Sequence, residues 1–204
     1  MKDNSLKITF NDAASIYDVR PSYPEEIIEE IISLSGISKQ SQILEVGVGT
    51  GQITLPFAKR GYEVVGLELG PALAKRAREN LQSYPHVNIV TTAFEDWQSE
   101  GKFDLLLSAQ AFHWIDTDIG LRKAAKVLNK LGAIALVWNF DSTQNTDFYK
   151  AATPLYEKYV PDDPNRATPQ TGFGRFKKAL SDSTDFQALA ERSVTWEAKY
   201  TSKL

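Results

Sequence analysis

Three closely spaced glycines are the residues of this chain whose type and spacing point most directly to ligand chemistry. Gly47, Gly49 and Gly51 stand in the segment EVGVGTG, residues 45–51, between a predicted buried strand and a predicted helix. Glycine allows positive φ and lets a ligand approach the backbone without a Cβ in the way. Because ligands of open α/β sheets bind beyond the carboxyl ends of the strands, the sequence predicts a binding loop here. An ordinary glycine turn is the alternative interpretation.

Two acidic residues and the spacing of the glycines narrow the class of ligand. Glu45 lies at the end of the first predicted strand, and Glu68 closes the second strand 21 residues beyond Gly47. A carboxylate at that strand tip is placed to accept both hydroxyls of a ribose, the alternative being an exposed strand-end side chain. A dinucleotide fingerprint requires glycine or alanine where this chain has Gln52, and the lysine of a P-loop is absent. The loop therefore fits neither a dinucleotide pyrophosphate nor a triphosphate.

The elements that position this loop are predicted to alternate between strand and helix. Apolar runs predict strands over residues 42–46, 63–67, 87–91, 103–108 and 133–139. Helical patterns fall between them over residues 52–59, 71–84 and 118–129, and one precedes them over residues 24–34. Continuous apolar strands alternating with helices indicate a mainly parallel sheet covered on both faces. The predicted fold class is a doubly wound, Rossmann-like α/β sheet.

The chain is predicted to form a single domain over residues 1–204. Within it we expect four parts: an N-terminal helical segment (10–36), a binding core (41–140), a helical insertion that forms a lid (141–190) and a final strand (192–200). The insertion carries predicted helices over residues 147–159 and 173–180. A surface excursion without function is the alternative interpretation of the insertion.

Composition excludes several classes of protein. The absence of cysteine excludes disulfides and thiolate sites, and only two histidines disfavour a metal site. A formal charge of −3 disfavours binding to nucleic-acid backbone. The longest apolar run, Ala133–Trp138, is far shorter than the ~20 residues of a membrane span, and the N-terminus lacks the pattern of a secretory signal. We expect a cytoplasmic monomer or homodimer that binds a small-molecule substrate.

The segment ILEVGVGTGQIT, residues 43–54, resembles motif I of class I S-adenosylmethionine (SAM)-dependent methyltransferases. Further segments resemble the family in the same order: IYDVRPSYP (16–24), VVGLELGPALAKRARENL (64–81), TTAFEDW (91–97) and FDLLLSAQAFHWID (103–116). The opening segment is similar to a small-molecule subgroup, methyltransferase type 11, that includes the ubiquinone, menaquinone and trans-aconitate enzymes. Together these segments cover about residues 15–140.

The resemblance implies SAM as cofactor, S-adenosylhomocysteine (SAH) as product, and a set of cofactor-binding residues. These are Glu45, Gly47, Gly49, Gly51, Glu68, Leu69, Phe94, Glu95, Gln110 and Ala111. The glycines would pass under the methionine part of SAM, with Glu45 near its amino group. Glu68 would hold the ribose hydroxyls, and Leu69, Phe94 and Glu95 would surround the adenine. The last two residues of the set would close over the sulfonium.

Three residues are candidates for the methyl-transfer step itself. Methyl transfer from a sulfonium is an in-line displacement, so the protein contributes mainly alignment. His113 is a candidate base because an imidazole titrates near neutral pH, the alternative being a role in shaping the pocket. Trp114 is expected either as a pocket wall or in core packing. Tyr17 is expected near the methionine carboxylate or the methyl group.

Four further residues are candidates for binding the methyl acceptor. Arg20 has the bidentate geometry to pair with a substrate carboxylate, and a helix-end salt bridge is its alternative. Tyr23 completes an aromatic–basic–aromatic set with Arg20 and Tyr17. Trp138 and the following Asn139, at the end of the fifth strand, face either the acceptor or, for the tryptophan, the core.

The predicted function is SAM-dependent methyl transfer to a small molecule, with an oxygen acceptor, such as a carboxylate, favoured over carbon or nitrogen. A non-catalytic SAM-binding module and a nicotinamide-dependent oxidoreductase are the alternatives. Sheets of this family end in an antiparallel hairpin, and residues 194–200 suffice for its sixth strand. Only four residues follow, so the sheet is predicted to lack the usual seventh strand.

Overall fold

The computed structural model describes residues 21–99, 101–140, 147–159, 170–187 and 190–197. The core contains five strands, and among the described residues a helix lies between each consecutive pair except β3 and β4: β1 Gln42–Val46, β2 Glu63–Glu68, β3 Val87–Thr91, β4 Phe103–Ala109 and β5 Leu128–Val137. The α-helices are α1 Glu25–Ser35, α2 Thr54–Lys59, α3 Pro71–Asn80, α4 Thr117–Val127, α5 Asp147–Tyr159 and α6 Gln170–Ser181.

The five strands form one parallel sheet in the order β3-β2-β1-β4-β5. Strand order reverses direction next to β1, which pairs with both β2 and β4. The predicted doubly wound α/β sheet is therefore confirmed, and its switch point lies at the carboxyl end of β1, where such folds bind ligands.

Alternation along the central strands divides the core between the two faces of the sheet. Ile43 and Leu105 pack in one cluster with side chains of α1 and α2. Leu44 and Leu106 point the other way, into a cluster with side chains of α4 and α6. Because both faces are covered, β1 and β4 are apolar along most of their length, as the sequence predicted.

The boundary between α4 and β5 differs from the prediction. Helix α4 begins at an N-cap, where the Asp116 carboxylate accepts hydrogen bonds from two backbone N–H groups. It ends at Val127, and Leu128 already pairs with Phe103 on β4. The register then shifts, so that Leu105 pairs with Ala133. A bulge inside the strand therefore replaces the predicted helix end and loop before residue 133.

The predicted final strand over residues 192–200 is wrong for its described part. Residues 190–197 form no strand pairing among the described residues, and 198–200 lie outside them. This segment is held by side chains instead, with Arg192 paired to Glu30 of α1 and Glu191 paired to Lys177 of α6. Its loose alternation in sequence could not distinguish exposed extended chain from a strand.

Candidate functional site

The glycine loop after β1 adopts the left-handed backbone that its residue types predict. Gly47, Gly49 and Gly51 have φ of 78°, 60° and 91°. The backbone N–H of Gly47 donates to the carbonyl of Leu67 on β2 at 2.8 Å, which fixes the start of the loop. A Cβ added to Gly47 would lie 2.2 Å from the Cβ of Ala111. The first glycine is therefore required both by its φ and by the approach of the loop after β4.

Glu68 ties the ends of β1 and β2 together. One carboxylate oxygen accepts a hydrogen bond from the backbone N–H of Gly49 and the other from that of Gly70, both at 2.8 Å. The side chain is 8% exposed. Burial raises the pKa of Glu68, and the backbone hydrogen bonds act in the opposite direction. The carboxylate that is predicted to bind the ribose thus also holds the glycine loop in place.

Glu45 is a buried carboxyl group without a hydrogen-bond partner among the described residues. Its side chain is 1% exposed, and both of its carboxylate oxygens lack a partner. The pKa of Glu45 is raised to about 8: burial is the largest cause, the Thr54 hydroxyl acts in the opposite direction, and the charge of Glu68 adds to the rise. A buried polar group without a partner costs free energy, so its presence points to a ligand that supplies the missing donors.

An open cleft of about 460 Å³, including the solvent space at its mouth, lies at the carboxyl ends of β1 and β4. Its described lining residues are Pro21, Tyr23, Glu45, Gly47, Val48, Gly49, Gln52, Ile53, Ala109, Gln110 and Asn139. Six of the predicted site residues are thus brought together: Tyr23, Glu45, Gly47, Gly49, Gln110 and Asn139. Lysine, arginine and histidine are absent from this described lining. The cleft has an acidic and amide character that suits a cationic ligand.

Gln110 joins the ends of β4 and β5 beside the cleft. Its φ is 55°, and it is the one non-glycine residue with positive φ in the described ranges. Its backbone N–H donates to the carbonyl of Val137 at 2.9 Å, and its side-chain amide donates to the carbonyl of Asn139 at 2.6 Å. Strained backbone of this kind persists where surrounding contacts fix it, and it clusters at functional sites.

Five lining residues were not among the predicted site residues: Pro21, Val48, Gln52, Ile53 and Ala109. Gln52 and Ile53 follow the last glycine directly and precede α2. Gln52 entered the sequence-based predictions only as the residue that excludes a dinucleotide fingerprint. Its position one residue beyond the glycine loop was the available indication that its side chain borders the ligand.

The three predicted adenine contacts are not among the described residues that line the cleft. The Phe94 side chain is 3% exposed and packs on Phe112, with ring centroids 6.2 Å apart, and its position beside the adenine stays a prediction. The apolar character of Phe94 reflects this packing. The carbonyl of Glu95 accepts a hydrogen bond from the Lys123 ammonium at 2.9 Å. Leu69, which follows Glu68, is 39% exposed, so its side chain is accessible to a ligand.

The candidate residues for transfer and acceptor binding are only partly brought to the cleft. His113 and Trp114 form a short 3-10 turn after β4, with rings 5.0 Å apart, and neither lines the cleft. The Trp138 ring stacks on Phe176 of α6 at 5.8 Å, in agreement with the core-packing alternative, and its contact with the substrate stays a prediction. Tyr17 and Arg20 lie outside the described residues.

The described ranges contain neither a cluster of metal ligands nor a membrane-spanning helix. Among those residues, no group of three or more metal-ligating side chains is close enough to hold an ion. No helix there has the length and apolar character needed to cross a membrane.

A methyltransferase-domain family matches residues 43–132, which run from β1 through the glycine loop to the bulge in β5. Residues 43–132 form a methyltransferase domain. This domain contains the glycine loop, Glu68 and the turn after β4. The five-stranded sheet with flanking helices is the class I methyltransferase fold.

Curated methyltransferases of bacteria are among the proteins that this chain resembles. An uncharacterized methyltransferase of Mycobacterium tuberculosis H37Rv is 32% identical over 135 residues, 66% of this chain and 53% of that protein. A malonyl-[acyl-carrier protein] O-methyltransferase of Ilyobacter polytropus is 32% identical over 115 residues, 55% of this chain and 43% of that protein. The chain spans about half the length of these curated relatives.

Solved structures agree with the fold of the domain. A putative S-adenosyl-L-methionine-dependent methyltransferase from Methanococcus maripaludis superimposes with a TM-score of 0.62 at 22% identity, over 86% of this chain and 83% of that one. A methyltransferase from Streptomyces caelestis gives 0.55 at 24% identity, over 64% and 57%. These likenesses concern the fold of the domain.

Proposed function

We propose that this chain is a SAM-dependent methyltransferase that acts on a small-molecule acceptor, with an oxygen atom as the favoured acceptor. The observation that carries the proposal is the buried carboxyl of Glu45, which faces a cleft between the glycine loop and Gln110 without a hydrogen-bond partner among the described residues. The methyltransferase domain over residues 43–132 supports it.

The described residues fit SAM by charge and by shape. SAM supplies a methyl group already activated on a sulfonium cation, and its methionine part adds an ammonium. The cleft lining offers a carboxyl group and amide oxygens, which suit these cations. Gly49 borders the cleft and has no Cβ that would keep a ligand away from the backbone. In this proposal Glu45 binds the amino group and Glu68 binds the ribose hydroxyls.

The acceptor side of the proposal rests on the turn after β4. Gln110 and Ala111 lead from the cleft directly into this turn, which carries His113 and Trp114. We assign His113 the removal of a proton from an acceptor hydroxyl, and Tyr17 and Arg20 the alignment of the methyl group and of an acceptor carboxylate. The O-methyltransferase among the relatives supports oxygen as the acceptor atom.

Transfer of radiolabelled methyl groups from SAM to a panel of carboxylic acids, alcohols, phenols and amines tests this function. We expect label in an oxygen-bearing acceptor, and a loss of rate of at least tenfold in His113→Ala. His86→Ala is the matched control, because the His86 ring contacts the carbonyl of Ala58 at 2.9 Å, away from the cleft lining. SAM binding without transfer to any acceptor would favour a non-catalytic SAM-binding module instead.

A further inference from the structure

We propose that binding of SAM releases a proton from Glu45, so that occupancy of the cofactor cleft is coupled to pH. The ligand's ammonium takes the place of that proton as the positive partner of the carboxylate. The inference rests on the proposed function for the identity of the ligand and goes beyond it by assigning a protonation change to one residue.

The two carboxyl groups of the site have opposite hydrogen-bond environments. Glu68 accepts a backbone N–H on each oxygen, which favours its ionised form. Glu45 receives no hydrogen bond on either oxygen within the described part of the chain, although it is 1% exposed. Two buried carboxyl groups that interact do not ionise equally, and the one without donors keeps the proton. The geometry thus assigns the proton to Glu45.

The groups that face Glu45 from neighbouring elements contain no cation among the described residues. The titratable ones are Glu68 from β2 and the Tyr23 phenol from the segment before α1. Helix α2 contributes the Thr54 hydroxyl, and the end of β4 leads to the uncharged Gln110. Burial and the charge of Glu68 raise the pKa of Glu45 to about 8, against the Thr54 hydroxyl, which lowers it. At neutral pH Glu45 is therefore mainly a neutral carboxylic acid before SAM binds.

An ammonium brought to this position reverses the preference. It supplies both the hydrogen-bond donors and the positive charge that the carboxylate lacks, and an opposite charge at close range favours ionisation. The O–H bond of Glu45 breaks, the proton passes to the solvent buffer, and the ammonium keeps its own protons. No bond of the ligand changes, and the charge of the carboxylate balances that of the ammonium.

Isothermal titration calorimetry at pH 6.5 in two buffers of different ionisation enthalpy counts the protons released. At this pH an α-amino group is almost fully protonated, so the ligand itself takes up little. We expect the wild-type chain to release about one proton per SAM bound, given a pKa of Glu45 of about 8. The same coupling predicts that SAM affinity increases as the pH is raised, by up to tenfold per pH unit, until the pH reaches that pKa.

Two controls isolate Glu45 and the ammonium. Glu45→Gln keeps the shape of the neutral acid and is expected to bind SAM with no proton release and a flat pH dependence. Glu63→Gln changes an exposed carboxyl at the start of β2 and is expected to match the wild type. 5′-Methylthioadenosine lacks the ammonium and is expected to bind the wild-type chain without releasing a proton.

SAM binding with the same proton count in the wild type and in Glu45→Gln would overturn the inference and leave the proposed function intact. Equal proton release with 5′-methylthioadenosine would overturn it as well, because the ammonium would not be the cause. Failure of the folded chain to bind either ligand would overturn both the inference and the proposed function.

Discussion

The carboxylate of Glu68 accepts a hydrogen bond from the backbone N–H of Gly49 at 2.8 Å. This contact joins the tip of β2 to the middle of the glycine loop that follows β1. A second bond of the same length comes from the N–H of Gly70. Glu68 therefore organises the loop in addition to its proposed contact with the ribose, and its substitution has consequences for both.

Replacing Glu68 with alanine is expected to weaken SAM binding by about 2 kcal/mol or more, the scale of hydrogen bonds to a charged group. The same change leaves the N–H groups of Gly49 and Gly70 without their acceptor, so we also expect a loss of about 1–3 kcal/mol in the free energy of unfolding. Calorimetric titration and urea denaturation measure the two effects. Glu63→Ala, at the exposed end of the same strand, is the control and is expected to change neither. Unchanged SAM affinity in Glu68→Ala would remove the ribose role.

Replacing Gly47 with alanine is expected to prevent the loop from forming its present structure. The new Cβ would lie 2.2 Å from that of Ala111, and the φ of 78° is unfavourable for alanine. Gly61→Ala is the matched control, because Gly61 has a φ of 82° but nothing within 4 Å of the added atom. We expect about 1 kcal/mol of destabilisation in the control, and a larger loss together with loss of SAM binding in Gly47→Ala.

The double variant Gly47→Ala/Ala111→Gly separates the contact from the backbone strain. Removing the Cβ of residue 111 removes the atom that the new alanine would meet. We expect the free energy of unfolding of the double variant to lie close to that of Gly61→Ala. A double variant as unstable as Gly47→Ala alone would show that the contact between these two positions is not the cause.

The buried carboxyl of Glu45 is expected to make folding stability fall as pH rises. Its pKa is raised from 4.5 in the unfolded chain to about 8 in the fold. Below pH 4.5 both states hold the proton and nothing is lost. Between these values the unfolded state ionises and the folded state does not, so the free energy of unfolding falls by about 1.4 kcal/mol per pH unit from this group. Above pH 8 the loss is complete.

Urea denaturation at pH 5 and pH 8 checks this dependence without any ligand. From pH 5 to pH 8 the free energy of unfolding of Glu45→Gln should rise by roughly 4 kcal/mol relative to that of the wild type. Only the wild type has a carboxyl group here that must either stay protonated or become a buried charge. Glu63→Gln should show the wild-type dependence. Parallel pH curves for the wild type and Glu45→Gln would mean that Glu45 ionises normally in the folded chain.

Replacing Phe176 with alanine is expected to release α6 from the domain. The ring is 1% exposed and packs between Phe112, at 5.4 Å, and Trp138, at 5.8 Å. Truncation of a buried phenylalanine costs about 3–5 kcal/mol. We expect a loss of this size in the free energy of unfolding and faster proteolysis within α6. Leu155→Ala on α5, at an exposed position, should change stability by less than about 0.5 kcal/mol.

The sequence predicted the parts of the site that depend on local pattern. The glycines after β1 and the carboxylate at the end of β2 follow from strand ends and backbone freedom, which are readable over a few residues. The alternation of strand and helix fixed the parallel sheet for the same reason. The bond from Gln110 to the carbonyl of Asn139 joins positions 29 residues apart, and its strained φ had no local indication.

Aromatic side chains were the least predictable part of the site. Phe94 and Trp138 are of the residue types that often line ligand pockets. In the structure, however, Phe94 packs on Phe112 and Trp138 packs on Phe176. An aromatic residue near a sheet edge satisfies either role, and only the tertiary packing decides between them. The sequence also could not predict that Glu45 has no hydrogen-bond partner among the described residues. This depends on which donors the neighbouring elements bring beside its side chain.

The most direct test of this account is calorimetric titration of the purified chain with SAM, with NADH as the comparison ligand. The account predicts one SAM bound per chain with micromolar affinity, weakened by about 2 kcal/mol or more in Glu68→Ala, and no binding of NADH. A folded chain that binds NADH, or that gives no heat with SAM, would contradict the claim that the glycine loop, Glu45 and Glu68 form a SAM site.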